Sequence, residues 1–471
     1  MRNETRWVRS WLTKVGSAAV TGALLLACGG SGGGQGVLLP EAASPQTSGA
    51  LGANAAQAST VNAGGKVVEG QGTVTVPKFT FAPTLSGEQL EAQKDVFQPV
   101  AVHEWGTFTS VQASDGTDLE GLHHEEEPLP PFVHGRDGMC FGNNKCMEHI
   151  PQGVTQKMET PVIYFHGSAT RPLSVRVDFP KGVISQWYPQ AESYGPAKYE
   201  IGERVSGGTM TWKVALAPKG FAPPKVSSGD IWAPSRNVPS APLRAQGEDE
   251  SFIFYRGLGS FSLPVRVTSS KDGSVTLANG GALRIPAAFL LKVDETGGGI
   301  VSLGDVSASG KAVAQANVPT KDMDSFLADA KLQIKTALVQ SGLTEEESLA
   351  MVDTWSVSYF HTPGLRVLYV LPRLWTDIIL PMHLDFVPTQ IVRTLIGRIE
   401  VTTQAEEKAL LTVLETAHAQ GVMDWELPTI PEIQRLGRHV EPKLRAVRRL
   451  VTEPKLAMWL DSAIQGFVLE M

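Results

Sequence analysis

Residues 173–179 read LSVRVDF, with Leu173, Val175, Val177 and Phe179 alternating with Ser174, Arg176 and Asp178. Side chains of a strand point to opposite faces with a period of two, so this stretch is a strand with one apolar and one wet face. The same reading extends outward to PVIYF, TMTWKVAL, SFIFY, LPVRV, SVTLA and AAFLLKV. Turn chemistry separates them. KDGS places Asp-Gly between VRV and VTL, and ETGGG follows AAFLLKV. Short strands joined through proline and glycine, without intervening helical periodicity, predict an antiparallel β-sandwich or jelly-roll-like domain over residues 76–318.

The pattern changes after Val318. Met323, Phe326, Leu327, Ala330, Ile334, Ala337 and Leu338 recur at helical spacing up to Gly342, and Thr344 with Glu347 forms a capping box that starts a second helix. LRVLYVLP is apolar on both faces and reads as a buried strand, and IGRIEVT as another. Thr403 and Glu406 cap a further helix, and prolines 431, 442 and 454 divide the remaining chain into helical segments. Residues 319–471 are therefore expected to form an α+β to helical C-terminal domain, and the fold class is mainly β plus α+β.

The first 27 residues put Arg2, Arg6, Arg9 and Lys14 ahead of an uncharged run from Val15 to Ala27. That layout is an export signal, and the run is too short to remain as a membrane span. Leu25-Leu26-Ala27-Cys28 resembles the lipobox of bacterial lipoproteins. The resemblance implies cleavage after residue 27, acylation of Cys28 with chains such as palmitate, and, because Gly29 is not aspartate, delivery to the outer membrane. From Gly29 to residue 75 the chain is mostly Gly, Ser, Ala and Thr with few large side chains, a flexible tether of roughly 40 Å. The formal charge is −7 at pH 7, and removal of a signal with four basic residues and Glu4 makes the remainder −10. An acidic surface excludes nucleic acid and anionic lipid as partners held by charge. With Cys28 spent on lipid, Cys140 and Cys146 flank the turn-like FGNNK and are expected to pair as a disulfide in an oxidising compartment.

Five of the ten histidines, His103, His123, His124, His134 and His149, lie between residues 103 and 149, beside Glu125, Glu126 and Glu127. Neutral imidazoles with carboxylates suit zinc, iron or copper, and two histidines with one carboxylate leave coordination positions open. The candidate metal residues are His103, Glu104, His123, His124 and Glu125. In a regular strand VHEWGTFTS sends His103, Trp105 and Thr107 to one face and Glu104, Gly106 and Phe108 to the other, so His103 and Glu104 share an ion only if a bulge near Gly106 re-aims one of them. Cys146-x-x-His149 with Cys140 is the other partial zinc pattern, and the disulfide competes with it. No GxSxG elbow, Walker loop or HExxH occurs. Trp187, Trp212, Trp232, Tyr188 and Tyr255 would stack on a carbohydrate if exposed together on one face.

HEWGTFTS, KMETPVIYF and GLRVLYVLPRLWTD resemble recurring blocks of an uncharacterised family of large exported bacterial proteins, here spanning roughly residues 102–406. The resemblance implies an extracytoplasmic location and a shared core, and it brings no catalytic residues with it. The sequence supports two functions. One is an outer-membrane-anchored lipoprotein with a structural or ligand-binding envelope role, whose partners are the membrane through its lipid and an envelope protein or carbohydrate. The other is a metal-dependent extracytoplasmic enzyme, a hydrolase or oxygenase, centred on the HEWG strand and the HHEEE loop.

Overall fold

LSVRVDF is a strand, Leu173–Phe179, with its four apolar side chains buried and its polar ones turned toward solvent. It belongs to a computed structural model that describes residues 96–122, 129–136, 152–197 and 204–469. The signal segment, the tether, Cys28, Cys140, Cys146, His123, His124, Glu125 and His149 all lie outside the described residues.

Among the described residues strand predominates, 37% against 27% helix, and the fold combines a β-sandwich-like arrangement with a helical C-terminal region. An eleven-stranded sheet is its largest element. At its centre Val100–Gln112 and Gln390–Val401 run parallel, in register from Ala101 opposite Gln390 to Gln112 opposite Val401. Val162–Gly167 and Gln156–Met158 pair antiparallel with the other edge of Val100–Gln112, and Gly364–Val370 pairs antiparallel with Gln390–Val401. Strands from both sides of Val318 thus hydrogen-bond within one sheet. The parallel pair departs from the antiparallel expectation for a physical reason. Both strands are buried almost throughout, the condition under which parallel strands occur, and the connection between them is too long for any turn signal to announce.

The two faces of this sheet are covered differently. Val100, Val102, Phe108, Ile163 and Phe165 pack with Leu173, Val175, Val177, Phe179, Met210 and Trp212, whose strands belong to a six-stranded sheet, and this forms the sandwich core. Trp105, Val162, Tyr164, Val392 and Ile396 on the opposite face pack against Phe326, Ala330, Ile334 and Leu338 of helix Met323–Gln340 and Ala350, Met351 and Val352 of helix Glu345–Thr354. Each such apolar side chain removed from water contributes about 1.5–3 kcal/mol. The helices Gln404–Ala419, Val440–Arg448 and Pro454–Leu469 pack around Leu410, Leu414, Leu444, Val447 and Leu460.

Gly106 does not create a bulge: the register runs unbroken through Trp105–Thr394, Gly106–Leu395 and Thr107–Ile396. A Cβ at position 106 would stand 2.8 Å from Pro161 Cα, so the glycine is there for close passage of the neighbouring backbone. The alternation of the strand is therefore intact, and His103 and Glu104 are committed to opposite faces.

Candidate metal centre

His103 shares its face with Trp105, toward the helices. Val162, Tyr164 and His166 share the same face of the adjacent antiparallel strand, where His103 stands opposite Tyr164 and Ala101 opposite His166. The two histidines are thereby diagonal neighbours across one strand pair, and their rings meet edge to face with centroids 4.7 Å apart. Above them sits the start of helix Glu345–Thr354. Thr344 caps it, and Glu347 is the third residue of its capping box, the position whose side chain folds back over the helix N-terminus.

That fold-back delivers the Glu347 carboxylate onto both imidazoles. His103 Nδ1 is 3.0 Å from each carboxylate oxygen, and His166 Nε2 is 2.9 Å from Oε1. The Thr344 amide donates to Oε2 at 2.8 Å. The candidate ligand atoms of the three residues all lie within 4.8 Å of one another. Glu347 is fully buried, the His103 side chain is 8% exposed, and that of His166 is 24% exposed, so the cluster is closed below and open on the His166 side. Burial pushes the Glu347 carboxyl up, but hydrogen bonds from His103, His166 and the Thr344 amide outweigh it and hold the group at about 2. It is a carboxylate at neutral pH.

The second nitrogen of His166 constrains what can stand between the ring and Glu347. Its Nδ1 is 3.1 Å from the Pro239 carbonyl oxygen, which can only accept, so Nδ1 carries the hydrogen. In a neutral ring Nε2 is then a bare lone pair, and it faces an ionised oxygen at 2.9 Å. Two acceptors at that distance repel unless a cation stands between them, either a second ring proton or a metal ion. Donation of the outer N–H to a backbone carbonyl is also how ligating histidines are oriented.

Of the residues singled out from sequence, His103 is in this cluster and Glu104 is not. Glu104 turns to the sandwich face, where it accepts from the Tyr255 hydroxyl and, at 2.6 Å, from Arg393 Nε. His134 is paired elsewhere, 2.9 Å from Glu248. Trp187, Trp212, Trp232, Tyr188 and Tyr255 are core residues, all buried, and present no stacking platform. Sequence reasoning missed His166 and Glu347. The available signal for His166 was parity: it continues the Val162, Tyr164 face, as His103 continues the face of Trp105.

A second buried polar cluster occupies the same face of the sheet further along. Glu400 lies 2.6 Å from Arg398 Nε and 3.0 Å from Arg366 Nε. Glu159 pairs with Arg438 and accepts from Thr109 at 2.7 Å and Tyr359 at 3.0 Å. The Arg398 guanidinium lies 4.1 Å from the Tyr359 ring centroid. Burial raises both carboxyls, and the surrounding arginines overcome it and hold both well below the usual carboxylate range.

No family model and no curated protein matches the chain. Among solved structures it is similar to the yeast delta-COP-I mu-homology domain, alone and complexed with a Dsl1 WxWxV peptide. The TM-scores are 0.24 and 0.23, with 6% identity, 64% of this chain and 96% of that chain covered in each case. Likeness at that level carries no functional argument.

Proposed function

We propose that this is an exported, lipid-anchored envelope protein whose folded part binds one divalent transition metal ion through His103, His166 and Glu347. The observation that carries the reading is His166: its Nδ1 is committed to the Pro239 carbonyl while its Nε2 faces the Glu347 carboxylate at 2.9 Å. Metal–ligand bonds of about 2.0–2.2 Å place neighbouring donors roughly 3 Å apart, the separation already present between Glu347 and each imidazole. Two imidazole nitrogens and a carboxylate favour zinc, iron or copper over calcium and magnesium, which take oxygen ligands. The acidic remainder of the chain and the tether fit a protein held off the membrane by its lipid.

The test is elemental analysis of the purified protein with melting curves in the presence and absence of chelator. About one metal per chain, a melting temperature lowered by chelator and restored by zinc, and loss of both in His166→Ala support the reading. A metal-free protein whose melting is indifferent to added zinc, iron and copper ends it.

A second reading, a metal-dependent hydrolase or oxygenase, draws on the partial exposure of His166. Three protein ligands leave at least one coordination position, and an open side admits water or substrate to it. Turnover of a model ester or phosphoester that disappears with the metal would favour this second reading.

A further inference from the structure

Away from the histidines, a cavity of about 230 Å³ opens between the Pro180–Lys181 turn, the Phe261–Pro264 segment and helix Arg373–Ile379. Its inner wall is apolar: Phe261, Leu263 and Trp375 are buried core residues that nevertheless line it, together with Ile379. The Trp375 ring is fixed from behind, since a Cβ on Gly281 would stand 2.4 Å from its Cζ2 and 3.2 Å from Pro264 Cγ. A rigid aromatic wall of this kind does not collapse to fill the space. Ile378 at the rim is 65% exposed, and Leu374, one turn earlier on the same helix, is 55% exposed, so the apolar surface continues outward past the mouth.

The helix lines the cavity with apolar side chains alone, and the polar groups come from the two connecting segments. Lys181 and Ser262 line the cavity and are exposed, and Lys181 makes no ion pair among the described residues. By contrast, Arg373 and Asp377, on the side of the helix toward strand Gln390–Val401, are already paired with each other, and Asp377 with Arg393. The cavity therefore offers an apolar slot with a single uncommitted cation at its entrance.

We propose that this cavity binds a small amphipathic anion, an acyl or aryl carboxylate, with its apolar body against Trp375, Leu263, Phe261 and Ile379 and its carboxylate at Lys181 and the Ser262 hydroxyl. The slot supplies apolar burial and the lysine supplies the sign of the charge. This site is separate from the histidine cluster and does not depend on the metal reading.

The experiment is calorimetric titration of the full chain with octanoate, 2-naphthoate and octanol. Saturable one-to-one binding of a carboxylate is expected. The tighter of octanoate and 2-naphthoate identifies an acyl or an aryl ligand. Lys181→Gln should weaken the carboxylate about fivefold, the value of one exposed charge contact, and leave octanol unchanged. Ser262→Trp, at an exposed position that need not disturb the core, should fill the slot and abolish binding of all three. Far-ultraviolet circular dichroism of each variant confirms folding. Absence of saturable carboxylate binding, survival of binding in Ser262→Trp, or indifference to Lys181→Gln would each overturn the proposal.

Discussion

The His103–His166–Glu347 cluster and the Arg366–Arg398–Glu400 ladder lie on the same face of one sheet, each built around a buried carboxylate held ionised by hydrogen-bonded neighbours. Their strand positions, His103 opposite Val392 and Thr109 opposite Arg398, put them about 20 Å apart. The difference lies in the counter-charge. Guanidinium cannot give up its proton in a protein, so Glu400 has a permanent partner and no vacancy for another cation. An imidazole nitrogen can exchange its proton for a metal, so the charge opposite Glu347 is replaceable. Burial of a carboxylate marks neither as a site; exchangeability of its partner separates the two.

The largest effect is expected at the ladder. Glu400→Gln removes the carboxylate shared by Arg366 and Arg398, leaving Arg398 with Glu159 at 4.0 Å, and should cost about 3–5 kcal/mol in chemical denaturation, with no change in metal content. At the cluster the larger effect comes through the ligand: with free zinc at 100 times its dissociation constant, wild type should gain about 2.7 kcal/mol and His166→Ala nothing. In metal-free protein Glu347→Gln should cost only about 1–2 kcal/mol, because a neutral amide keeps part of the capping box while weakening the contacts to both rings.

Acid sharpens the contrast further. The Glu347 pKa is lowered from 4.5 to about 2 in the folded state, so its contribution is complete above the unfolded value and is lost as pH falls through 4.5 toward 2. Stability measured over that window should fall less steeply in Glu347→Gln than in wild type. The smallest effect belongs to an exposed pair outside both clusters: Arg284→Ala, which removes the contact to Asp305, should shift stability by less than about 0.5 kcal/mol.

What the sequence made legible is local. The LSVRVDF alternation, the Asp-Gly turn and the capping boxes at Thr344 and Thr403 depend on spacings of two or three residues, and all are present as expected. The metal cluster is not local: His103 and Glu347 are 244 residues apart, and His166 and Glu347 are 181 apart. Glu347 was moreover already accounted for. As the third residue of a capping box it had a sufficient local reason to exist, and that reason concealed the second contact made by the same carboxylate. Histidine clustering along the chain pointed to His103 together with His123 and His124, of which His103 is in the cluster and the other two lie outside the described residues. The parallel central pair was hidden likewise, since its register is set by burial on both faces and no turn marks it.

That central pair governs the order in which the molecule can be completed. Glu104 and Arg393, side by side in it, are 289 residues apart. Whether the chain emerges from the ribosome or crosses a membrane N-terminus first, the first strand is available well before the second. Val162–Gly167 can pair with one side of Val100–Gln112 early, but the other side stays open, an apolar strand edge with unpaired amides and carbonyls, which is a template for misassociation. The yield of folded protein should therefore be set during this interval, by whatever shields that edge until Gln390–Val401 arrives.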